Sequence, residues 1–69
     1  MKNSLGENLK YYRENAKLSQ SGLAKEMHIS QQAISLWEKD ERAPSVFVCI
    51  KLADFYGITL DELVGRDFR

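Results

Sequence analysis

One cysteine and one histidine are all that 69 residues offer for thiol or imidazole chemistry. A lone Cys49 excludes an internal disulfide framework. Set on an apolar helical face, it reads as a small buried hydrophobe and not as a reactive thiol. With only His28 beside it, no metal cluster can be assembled within the chain, and no cofactor is expected. No apolar run approaches the roughly 18 residues of a membrane helix, and no signal peptide is visible. The expected location is therefore cytoplasmic, with no membrane partner. Paired carboxylates in a pocket context, a nucleophile triad and a glycine-rich phosphate loop are all missing, and so short a chain leaves little room for a cleft. An enzyme is not expected.

Net charge is missing as well. Ten basic and ten acidic residues cancel, and the pI of about 6.6 is not the basic value typical of a nucleic-acid domain. Residues 1–42 carry seven basic and six acidic groups, so neither half is strongly charged. Non-specific attraction to phosphate should be weak. Any nucleic-acid binding then rests on base contacts, helix N-termini and avidity between protomers.

What is present is helical patterning with clear caps. Hydrophobic content of 43% and charged content of 29% are ordinary for a globular protein. The length suits one small domain spanning 1–69, with a tail at 66–69. Ser4-Leu5-Gly6-Glu7 matches a capping box and opens a helix from Leu5 to about Ala16, with Leu5, Leu9, Tyr12 and Ala16 facing a core. Ser19 caps Gln20 to Met27, and Ser30 caps Gln31 to Lys39. Leu23, Ala24 and Met27 form one apolar face, and Ala33, Ile34 and Trp37 another. His28, between these two helices, stands where the backbone needs a positive φ, which histidine adopts more often than most residues. Ser45 caps Val46 to Tyr56, with Gly57 ending the helix. Thr59 opens a last short helix that Gly65 ends. The fold class is all-α, with a core of Leu9, Leu23, Ala24, Ile34, Trp37, Ile50, Leu52 and Ala53.

The pair of short helices within about 19–39 carries a resemblance. The run LSQSGLAKEMHISQQAISLWEKDERAPS is similar to the helix-turn-helix of the phage lambda-type repressor and Cro family, the XRE family of small transcription regulators. The ordered set Leu18-Ser19-Gln20, Leu23-Ala24, Ile29-Ser30, Ile34, Trp37-Glu38, Pro44-Ser45, Leu52-Ala53 and Asp61-Glu62-Leu63 supports it over roughly residues 5 to 65. Gly22, His28 and Asp40 depart from the family, which often has glutamate, glycine and glycine there. The resemblance implies a compact five-helix lambda-repressor-like DNA-binding domain, with helices 2 and 3 as the helix-turn-helix.

By the same resemblance, Gln31 and Gln32 read bases, with Ser35 a secondary contact. A glutamine amide matches the N7 and N6 edge of adenine in the major groove. Gln20, Ser30, Lys39 and Arg42 are the phosphate candidates, Gln20 also bracing the first recognition glutamine. Lys17 and Lys25 read as solvated charges, while Asp40 and Glu41 would repel DNA if they faced it. Arg13 pairs with Glu38. One of Phe47 and Val48 should face out, and Phe47, Leu60, Val64 and Phe68 form the expected homodimer surface. The function expected is a sequence-specific regulator, a dimeric repressor reading an inverted-repeat operator. The alternative is a protein-interaction module, such as an antitoxin, with a toxin or antagonist protein as partner.

Overall fold

Each helix starts where a hydroxyl finds an unpaired amide. In the computed structural model, which describes residues 4–65, five α-helices follow one another: α1 Leu5–Asn15, α2 Gln20–Met27, α3 Gln31–Glu38, α4 Val46–Tyr56 and α5 Leu60–Val64. Ser4, Ser19, Ser30, Ser45 and Thr59 are the N-caps, each accepting the N–H three residues on, as expected of residues that satisfy orphan helix donors. Capping boxes close α1 through Glu7 and α5 through Glu62. His28 takes the left-handed conformation (φ 57°) and ends α2, and Gly57 does the same for α4.

The helices enclose one core of Leu9, Leu23, Ala24, Met27, Ile34, Cys49, Leu52, Ala53 and Leu63. Trp37 packs half-buried against it. Ala24 and Ile34 share this core, so the short turn does bring the two helices together. Met27 and Cys49, which the sequence places on apolar helical faces, lie in this core, as does Leu63, which the expected core did not include.

Ile50 is a correction: it is 42% exposed. Residues 46 to 50 are apolar on every side of the helix, so hydrophobicity there does not identify the inner face. Cys49, Leu52, Ala53 and Tyr56, at helical spacing, point inward. Ile50 is left on the outer side with Val46 and Phe47. Of the Phe47 and Val48 pair, Phe47 faces out at 76% exposure, and Val48 packs on the core. Ala16 is exposed, because α1 ends before it and Ala16 serves as the C-cap. Leu60 is half-buried against the core. Val64 is half-buried, and Phe68 lies outside the described residues.

α1 lies against α3 and α5, α2 against α3, and α4 against α5. Contact between α1 and α3 is close at one point. A Cβ on Gly6 would fall 2.6 Å from the Trp37 carbonyl oxygen and 2.7 Å from that of Glu38. Only glycine lets the first turn of α1 sit against the last turn of α3.

Candidate nucleic-acid interface

Beneath the candidate surface sits a buried ion pair. Arg13 is 8% exposed, and its guanidinium forms a fork on Glu38, with Nε to Oε2 at 2.7 Å and Nη2 to Oε1 at 3.1 Å. Nη1 donates to the Leu18 carbonyl at 2.7 Å. The bond to Glu38 is the main reason the Arg13 pKa is raised. The expected pair is therefore present, and it is inside the protein instead of on its surface. Glu38 accepts a third bond, from Gln20 Nε2 at 3.0 Å, so one carboxylate joins α1, α2 and α3. Tyr56 lies beside this group. Its hydroxyl is buried without a hydrogen-bond partner among the described residues, and burial pushes its pKa up to about 12.

Above that hub, the first turn of α3 presents Gln31 and Gln32, both exposed, with Ser35 half-buried one turn on. The opposite side of α3 is held by Ile34 and Trp37. Ser30 accepts the Ala33 N–H at 3.0 Å, which leaves its hydroxyl hydrogen free to donate outward. Gln31 lines an open cleft with Ser19, Ser21, Gly22, Lys25 and Ile29. Lys25 therefore borders the candidate surface, and so does Ser21, which sequence reasoning missed. The Gln20 amide is turned to Glu38 and not to Gln31, and it retains a second N–H. Lys39 and Arg42 are exposed at the far end of α3.

Electrostatics on this face suit an anionic partner. The first turns of α2 and α3, like that of α4, contain no acidic residue, whereas α1 carries Glu7 and α5 carries Asp61 and Glu62. Gly22 stands at the position where a capping-box carboxylate would reside in α2, so that the helix end keeps its positive character. Asp40 is turned away from this face: its Oδ1 accepts the Gly6 N–H at 2.9 Å. The repulsion anticipated from its sequence position is thus directed into the α1 contact.

The arrangement of α2, turn and α3 agrees with a family model described as "Helix-turn-helix", which matches residues 9–63. The chain belongs to the helix-turn-helix family. That family is a DNA-binding transcription-regulator fold and not an enzyme family. The HTH-type transcriptional regulator ImmR of Bacillus subtilis (strain 168) is 34% identical over 64 residues, 93% of this chain and 50% of that protein. The chain thus spans about half the length of that relative. The HTH-type transcriptional regulator MJ0272 of Methanocaldococcus jannaschii is 38% identical over 55 residues, 80% of this chain and 83% of that protein. Among solved structures, the P22 c2 repressor protein in complex with a synthetic operator superposes with a TM-score of 0.83 at 29% identity, covering 94% of this chain and 98% of that one. The lambda-repressor-like, all-α fold expected from sequence is the fold observed. No helix among the described residues is long and apolar enough to cross a membrane.

Proposed function

We propose that this helix-turn-helix domain, acting as one unit over 1–69, binds an inverted-repeat DNA operator as a homodimer and represses transcription. The observation that carries the reading is the exposed first turn of α3, where Gln31 and Gln32 stand beside two helix N-termini free of acidic side chains. α3 enters the major groove, and the two glutamines read base edges with Ser35 in support. The N-terminal amides of α2, the second N–H of Gln20 and the Ser30 hydroxyl seat backbone phosphates. Lys39 and Arg42 reach phosphates at the other end of α3. Likeness to a repressor solved on a synthetic operator supports this docking.

Homodimerisation follows from two considerations. One recognition helix reads only a few base pairs, too few for selectivity among many competing sites. Two half-sites roughly 34 Å apart, one helical turn, supply the rest. Exposed Phe47, Val46 and Ile50 on α4, together with half-buried Val64 of α5, form the proposed dimer surface.

Selection from a random duplex pool at about 0.1 M salt, where phosphate attraction is appreciably screened, tests the reading. The wild-type chain should enrich an inverted repeat, and Gln31→Ala should relax one position per half-site. Failure to enrich any sequence, together with co-purification of a second, toxin-like chain, would replace operator binding by protein masking.

A further inference from the structure

Asp40 follows the last turn of α3 in a left-handed conformation (φ 61°). Around it the chain closes in a Schellman pattern, with Asp40 N–H on the Trp37 carbonyl at 3.1 Å and Glu41 N–H on the Leu36 carbonyl at 3.0 Å. Glycine fits this position without strain, and an aspartate there is uncommon. Its side chain has an unusual use. Oδ1 accepts the Gly6 N–H, one of the amides left unpaired at the start of α1, at 2.9 Å. The same glycine leaves room for the Trp37 and Glu38 carbonyls to sit against α1. The nearby Ser4 side chain and the Gly6 N–H hold the Asp40 carboxyl below the usual carboxylate range.

We infer that Asp40 is a positioning residue: its carboxylate pins the C-terminal end of α3 to the first turn of α1 and sets the angle at which Gln31 and Gln32 meet DNA. The inference rests on the reading of α3 as the recognition helix. Two attachments fix an angle where one does not. Glu38 is held by Arg13 and Asp40 is held by Gly6, and these two points on α1 are seven residues apart, roughly 10 Å along its axis. With the Asp40 bond absent, α3 keeps the Arg13 and Gln20 attachments and its core contacts through Ile34, but loses its side-chain tie to the first turn of α1 and can tilt against it. The glutamines sit at the end of α3 far from this tie, where a small rotation moves them most.

The test compares Asp40→Gly and Asp40→Asn with the wild-type chain and Gln31→Ala. Gly relieves the left-handed strain and removes the acceptor; Asn tolerates the conformation and keeps an acceptor oxygen. Binding is measured on the duplex enriched by the wild-type chain and on a scrambled duplex of the same composition. Thermal midpoints and the exchange rate of the Gly6 amide are recorded for each variant. Asp40→Gly should remain folded, exchange Gly6 faster and lose about tenfold in discrimination, the size of one misread base pair. Asp40→Asn should restore most of both. Full discrimination in Asp40→Gly alongside a loss in Gln31→Ala would overturn the inference and leave the recognition helix standing. Equal losses in Asp40→Gly and Asp40→Asn would also overturn it, since the acceptor would not be what matters. Unimpaired discrimination in Gln31→Ala would remove the recognition-helix reading and this inference with it.

Discussion

Arg13, Glu38 and Gln20 show how much the surroundings decide about a charge. On a surface, an ion pair of this type contributes about 0–1 kcal/mol. Here both side chains are largely buried (10% and 5% exposed), and removing one partner strands the other away from water. Arg13→Ala should therefore lose about 3–5 kcal/mol in urea denaturation, whereas a joint replacement by Met and Leu should lose much less. A loss near zero for the single variant would mean that the pair is open to solvent. Tyr56 gives a second test. Its folded pKa of about 12 lies above the usual value of about 10 for a free tyrosine. The stabilisation from keeping it neutral is complete below pH about 10 and is lost as pH rises toward 12. Tyr56→Phe should lack this alkaline loss in pH-dependent unfolding. At neutral pH it should be equal to the wild type or up to about 1 kcal/mol more stable, because the hydroxyl has no partner to lose.

At the level of elements, helix starts were legible because a cap is a local event: one hydroxyl and an amide three residues away. Ser4, Ser19, Ser30, Ser45 and Thr59 all perform this role. The outward face of α4 was less legible, since five consecutive apolar residues at 46–50 erase the periodicity that would separate Cys49 from Ile50. The Arg13–Glu38 tie between α1 and α3 was expected from the family resemblance, but the contact at Gly6 was hidden for another reason. Gly6 and Asp40 are 34 positions apart, and nothing local reveals that one makes room for the other. Gly6→Ala tests the closeness. Its Cβ would meet two backbone carbonyls under 3.0 Å, and backbone cannot swing aside as a long side chain does. We expect a loss of about 1–3 kcal/mol, as for overpacking, together with weaker DNA binding as α3 is displaced. Thermal denaturation and duplex titration read both effects. A gain in stability, the ordinary result of Gly to Ala inside a helix, would contradict the close packing.

Across the whole molecule, a formal net charge of zero makes the distribution of charge matter more than its sum. First-turn acidic residues sit on α1 and α5, and the starts of α2, α3 and α4 are free of them. That segregation is visible only once the helices are placed, although the glutamines at the start of α3 were readable from sequence. The apolar outer side of α4 is the proposed partner surface, on a different element from the glutamines. Phe47→Asp should shift the protein toward monomer in sedimentation velocity at micromolar concentration without unfolding it, because Phe47 is 76% exposed. Affinity for a duplex with two half-sites should fall far more than affinity for one half-site. Equal sedimentation of variant and wild type would rule out this surface.

The most direct measurement is the change in backbone amide shifts when the wild-type chain is titrated with its selected duplex. If DNA docks on the proposed face, the largest changes fall at Gln20 to Gly22 and at Gln31 to Ala33, with smaller ones at Lys39 and Arg42. Changes concentrated instead on α5 or around Phe47, with the starts of α2 and α3 silent, would contradict docking through this helix-turn-helix.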